Sequence, residues 1–420
     1  MNIEETKLSN NLRVITNKMP NFQSAAVGAF VHAGSRNETI ENNGVAHMLE
    51  HMAFKSTNKR TAYQISQEIE VLGSYVNAMT GTESTAYYAK GLSENIATAT
   101  DIIGDALTDS VYNQDDINLE SGVIIQEICR YEDNPSSVMN DILQSLAYPD
   151  QPVGRKILGT RDFVSNATSD VFRNFVNEQY SAETMIVFAS GGLDHNEVVD
   201  AANNAFHKIP ATTNRPQTLP VTYVGGLGID TSKPFTQVAA GICFKSVPVI
   251  FHSMYAHMLL AEAFGGGMSS PLFTEVREKR GLVYSTGCNG DFNPDYGDVS
   301  IYGGTTPENL AEFINVACSE FAKMRETINE VDLTRAKNTV LVRIALMQEK
   351  PEAMMSYMAN SMFTRNRIRE FDEIKRDIEK INIDDLKSAA KFLFESKPTI
   401  SLVGPVPDAD YEGMVKAAIG

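Results

Sequence analysis

The chain has 420 residues, 43% hydrophobic and 21% charged, with no low-complexity tract, so it exceeds one typical domain and suits two or more with real cores. A net charge of −17 argues against nucleic acid, whose phosphates would be repelled. No apolar run approaches the ~18 residues of a membrane span, which excludes a spanning helix.

The opening MNIEETKLSNNLRVITNKMP has neither the basic and apolar regions of a secretory signal nor the make-up of a transit peptide. Cys129, Cys243, Cys288 and Cys318 are scattered without a CxxC pair, as in a reducing compartment. Both features lead us to expect a cytoplasmic protein. The acidity has two readings: a soluble surface, or a cavity that attracts basic peptides.

In chain order, VITNKM (14–19), AAVGAFVHAG (25–34) and TAYYAKGL (85–92) read as strands by β-branched and aromatic content. Segments 43–54, 61–72, 94–110, 115–132 and 166–177 read as helices by period and charge. The class is α+β, with helices packed on mostly antiparallel sheets. The first helix carries His47-Met-Leu-Glu50-His51. Positions i, i+3 and i+4 share a helix face, so both imidazoles and the carboxylate point into one volume. Two neutral imidazoles make half of a zinc site, and Glu50 is placed to take a proton from water. The order His-x-x-Glu-His is the inverzincin signature, and it still lacks a third protein ligand.

Segment 115–135, DDINLESGVIIQEICRYEDNP, opens on acidic residues and ends at Pro135. Glu120 and Glu127 lie two turns apart on one face. Ile117, Val123, Ile124 and Ile128 are expected to face the core. Glu127 beside them is then paired or liganded, unless both carboxylates are solvated. Segment 208–234 is rich in Pro, Gly and Thr and reads as a connector. It sets domains 1–219 and 220–420. Gly265-Gly266-Gly267 reads as a helix-ending turn, not a phosphate loop.

The halves repeat one another. AHMLEHMAF (46–54) and AHMLLAEAF (256–264) share six of nine residues. Tyr88, Glu94 and Asn95 match Tyr302, Glu308 and Asn309, and Pro135 matches Pro351. Under this alignment His47 maps to His257, but Glu50 maps to Leu260, His51 to Ala261 and Glu127 to Arg343. The second half has lost the site. His32, His195, His207, His252 and His257 show no ligand spacing.

His47-x-x-Glu50-His51, followed by Glu120 and Glu127 and set in the words HMLEHMAFKST and IIQEICRYEDNP, resembles the insulinase and pitrilysin family of zinc peptidases. Its bacterial relatives of mitochondrial processing peptidase, catalytic beta-like subunit, are the most similar branch. The resemblance spans essentially the whole chain and implies two homologous domains. It implies one zinc per chain held by His47, His51 and Glu127, with Glu50 as general base and Glu120 supporting the ligands. Asn77-Ala78 resembles the strand edge that pairs with an extended peptide, and Arg277 and Tyr284 the pair that reaches substrate near the metal. Ser56, Asn11 and Pro271 depart from the usual pattern without touching a ligand.

The implied activity is zinc-dependent endopeptidase action on unfolded peptides, presequence-like or other oligopeptides, inside a chamber between two bowl-like halves. One chain supplies one bowl, so a homodimer, or a heterodimer with a paralogue, is implied. Arg277 and Tyr284 would then serve the partner's site. A non-catalytic peptide-binding or structural subunit of the same fold is the alternative reading, and a metal hydrolase acting on non-peptides is a further one.

Overall fold

The structure is a computed structural model that describes residues 1–420. Its strands are β1 (Ile3–Lys7), β2 (Arg13–Lys18), β3 (Ser24–Val31), β4 (Tyr75–Thr80), β5 (Thr85–Leu92), β6 (Met185–Gly191), β7 (Gly226–Asp230), β8 (Val238–Lys245), β9 (Val283–Phe292), β10 (Gly297–Thr305) and β11 (Thr399–Val403). The first five helices are α1 (Val45–Met52), α2 (Ala62–Val71), α3 (Ile96–Thr108), α4 (Gln114–Glu132) and α5 (Pro135–Ala147).

Two compact units form. The first comprises Met1–Cys129, Arg155–Leu219 and Ala345–Ile368. Its sheet runs β1-β2-β6-β3-β5-β4, antiparallel except between β2 and β6. The second comprises Arg130–Gly154, Pro220–Ile344 and Arg369–Gly420, with sheet order β7-β11-β8-β10-β9, antiparallel except between β7 and β11. Without β1, the two sheets share one strand order and the same relative directions. The duplication is therefore architectural.

Alternation along the strands explains the layers, because successive side chains point to opposite faces. Ala25, Val27, Ala29 and Val31 of β3 pack into a core that includes Met48 and Leu49 of α1, Ile103 of α3 and Ile124 of α4. Ala26 and Phe30, on the other face, pack with Phe188 against Met355, Met358 and Met362. A strand covered on both faces reads as a near-continuous apolar run, as AAVGAFV does.

Those methionines sit on the helix Pro351–Arg365, from the C-terminal half of the sequence. Reciprocally, Met139 and Leu143 of α5 cover Ala239, Cys243 and Val403 in the second unit. The compact units thus differ from the expected segments 1–219 and 220–420 by one helical segment exchanged each way. Each sheet has two apolar faces to cover. Most of the first half's own helices cluster on one of them, leaving the other to a helix from elsewhere. The repeated Pro135 and Pro351 are the first residues of the two exchanged helices, where a missing N–H costs nothing.

Two local expectations are corrected. Val123 is 48% exposed, not in the core, since it falls off the stripe set by Ile117, Ile124 and Ile128. The connector 208–234 includes β7, whose backbone pairs in parallel with β11 despite its glycines. Gly265 ends a helix, Met254–Gly265, as expected of that turn. No helix is long and apolar enough to cross a membrane.

Candidate metal centre

Helix α1 begins on Gly44, whose φ of 113° suits glycine, and a Cβ there would stand 2.9 Å from the Gly159 Cα. The start is capped from a distance. Buried Glu38 accepts the Gly44 and Ala46 backbone N–H groups at 2.9 and 2.8 Å and the Asn43 side chain at 2.7 Å. Burial pushes the Glu38 carboxyl up to about 7, although those three donors favour its charged form. Val45, Ala46, Met48, Leu49 and Met52 are buried and fix the rotation of α1 about its axis. That rotation delivers His47 and His51 to α4.

His47 Nε2 and His51 Nε2 lie 3.7 and 3.4 Å from the same oxygen, Glu127 Oε2. The two imidazole rings stand 4.8 Å apart at 63°. Donors about 2.0–2.1 Å from a tetrahedral zinc would be separated by about 3.3–3.4 Å, close to the two histidine–Glu127 distances, and all three donor atoms lie within 4.8 Å of one another. Burial, then the neighbouring His51, lowers His47 to about 4, keeping it neutral with a lone pair to offer. Its Nδ1 is buried and has no hydrogen-bond partner. Two nitrogens and a carboxylate oxygen converging in this way fit a zinc ion. His47, His51 and Glu127 are the residues that could hold it.

Around the trio, His51 Nδ1 lies 3.1 Å from Glu120 Oε2, and Lys55 Nζ pairs with Glu120 Oε1. The Glu120 side chain is only 6% exposed, so Lys55 balances a carboxylate held out of water. Glu50 projects from the same face of α1 but stands outside the donor trio. Its Oε2 accepts a hydrogen bond from Thr80 Oγ1 at 2.5 Å. Burial raises the Glu50 carboxyl, opposed by that bond.

Asn77 and Ala78 lie on β4, which pairs only with β5 and ends the sheet. Alternation puts Ala78 on the face packed against the α1 core and Asn77 on the exposed opposite face. Arg277 and Tyr284 belong to the second unit. The Arg277 guanidinium lies 4.7 Å from the Phe273 ring centre and 5.6 Å from that of Tyr284. Tyr284 is 82% exposed at the start of edge strand β9.

In the second unit, the helix matching α1 holds His257 buried, with Nδ1 2.9 Å from Ser246 Oγ. Arg343, opposite Glu127 in the repeat, lies 3.0 Å from Glu262. An ion pair and a hydrogen-bonded histidine stand in place of a donor trio.

Sequence reading missed Glu38, Lys55 and Thr80. Lys55 had a signal, one turn beyond His51. Glu38 and Thr80 act through loops and sheet pairing that no local pattern records.

Fold and donor trio together describe a two-unit α+β chain with a candidate metal centre, and comparison with known proteins gives its family. Residues 13–161 match the family described as insulinase (peptidase family M16), and residues 166–340 match the peptidase M16 inactive domain. The chain belongs to the insulinase family, peptidase family M16. An uncharacterized zinc protease of Rickettsia felis is 35% identical, covering 96% of this chain and 98% of the relative. A protease from Helicobacter pylori has the same fold, with a TM-score of 0.89 and 20% identity over 96% of this chain and 99% of its own. A peptidase M16 inactive domain from Pseudomonas fluorescens superposes with a TM-score of 0.88 at 17% identity, over 98% of this chain and 99% of its own.

Proposed function

We propose that this chain is a zinc-dependent endopeptidase acting on unfolded peptides. The observation that carries the reading is the convergence of His47 Nε2, His51 Nε2 and Glu127 Oε2 beside a carboxylate, Glu50, that is not one of them. The zinc-protease names of the relatives support it. When bound, the ion supplies Lewis-acid polarisation of the peptide carbonyl and makes water more acidic.

The chain's own groups do the rest. Glu50 takes the proton from the water that attacks the carbonyl carbon, then gives it to the departing amine as the C–N bond breaks. Glu120 accepts from His51 Nδ1–H, which fixes the tautomer and leaves Nε2 as the donor atom. The free edge of β4 offers backbone N–H and C=O groups around Asn77 and Ala78 to an extended peptide, which would add as a further strand. Only a segment without its own secondary structure can do so.

Arg277, half-buried, and Tyr284, exposed, both on the second unit, are proposed to complete the site of a second copy or a paralogue in a dimer. Mixing Glu50→Gln chains with Arg277→Ala chains then restores one working site per heterodimer. Verified heterodimers without activity exclude this sharing. The net charge of −17 favours basic peptides, so added salt raises their KM, and a salt-independent KM contradicts that preference.

Chelation tests the whole reading. Metal-stripped protein should hydrolyse no quenched peptide, and about one equivalent of zinc per chain should restore hydrolysis. Full activity in the stripped protein excludes the proposal.

A further inference from the structure

Thr80 closes β4, the edge strand proposed to receive the peptide, and its hydroxyl lies 2.5 Å from Glu50 Oε2. It is 30 residues from Glu50 in sequence and on a different element. We propose that Thr80 is a positioning residue, tying the general base to the strand on which substrate docks; the inference rests on the peptidase reading above.

Three observations support it. The hydroxyl sits on fixed backbone. Across the turn, Gly81 N–H donates to Ser84 O at 2.9 Å, Ser35 N–H to Gly81 O at 3.1 Å and Arg36 N–H to Thr82 O at 3.0 Å. That loop packs so closely that a Cβ at Gly34 would lie 2.2 Å from Gly81 O. Thr85, the register partner of Thr80, donates its own hydroxyl to Ala33 O at 2.9 Å.

Next, a glutamate has three side-chain torsions, and on this face of α1 it could turn toward the donor trio. Bonding to Thr80 directs it to β4 instead, and the trio closes without it. The bond therefore separates the role of base from that of ligand. It also engages Oε2, and the Thr80 backbone N–H adds a second contact to the same carboxyl. Finally, Ala78 and Thr80 share one face of β4 by alternation, the face toward α1. A peptide paired along β4 and the carboxylate are thus registered to one backbone.

The test uses the full chain with zinc and a quenched peptide, comparing wild type, Thr80→Val, Thr80→Ser and Glu50→Gln. Valine keeps the shape and the backbone N–H but removes the hydroxyl donor, whereas serine keeps both. Loss of a hydrogen bond to a charged group corresponds to about a 10- to 100-fold fall in kcat. We expect that fall in Thr80→Val, with KM and zinc per chain within about twofold of wild type, and recovery in Thr80→Ser. Wild-type kcat in Thr80→Val overturns the proposal. So does an equal loss in both variants, or a Thr80→Val deficit that vanishes when kcat is expressed per bound zinc, because either marks a structural role. Full activity in Glu50→Gln instead removes the peptidase mechanism itself, separating the two failures.

Discussion

His51 Nδ1 and Glu120 Oε2 lie 3.1 Å apart, joining α1 to the middle of α4 beside the donor trio. With Lys55 on its other oxygen, the buried Glu120 side chain is held from both sides and sets the angle of the imidazole. A carboxylate behind a ligating histidine typically changes metal affinity by about 10- to 100-fold. Glu120→Gln should weaken zinc binding by that factor, measured by competition with a chromophoric chelator. Unchanged affinity would show that the contact does not orient the ligand.

The exchanged helices give a stability prediction that sequence halves alone would assign to the wrong unit. Met358 is fully buried against Ala26, Phe30 and Phe188 of the first sheet. Met358→Ala should cost about 2–5 kcal/mol. The loss should appear as faster amide exchange in Ser24–Val31 and Met185–Gly191. Faster exchange in Val238–Lys245 instead would contradict the exchange of helices.

Asp298 gives the second unit a pH dependence. Burial pushes its carboxyl up to about 7, opposed by the Tyr148 hydroxyl, which lies 2.7 and 2.8 Å from its two oxygens. The unfolded carboxyl titrates near 4. Between those values the folded state binds more protons than the unfolded one. This group's stabilisation is therefore present below about pH 4 and is lost as pH rises through 7, on the order of a few kcal/mol. Asp298→Asn should flatten that slope and raise the urea midpoint at pH 8 relative to wild type. A midpoint lowered equally at pH 5 and pH 8 would show only a lost hydrogen bond.

The two halves of the site were each legible in the sequence because helical spacing is local information. His47, Glu50 and His51 share a face by counting, as do Glu120 and Glu127. That the two helices meet was not legible from spacing, and only the family resemblance joined Glu127 to the histidines. Thr80 and Glu38 carried no signal, because sheet register and a loop bring them to α1. Apolar periodicity shows which face of Pro351–Arg365 is buried but not which sheet it covers. The matched Pro135 and Pro351 were a trace of that exchange, visible as a repeat and interpretable only in the fold.

The central claim is that Glu50 is a base and not a ligand, and Glu50→Gln tests it most directly when bound zinc and peptide hydrolysis are measured on the same sample. Glutamine keeps the shape and the hydrogen bond to Thr80 but cannot accept the proton. Zinc should remain near one per chain while kcat falls by at least about 100-fold. Hydrolysis at the wild-type rate in the zinc-loaded variant would contradict the account.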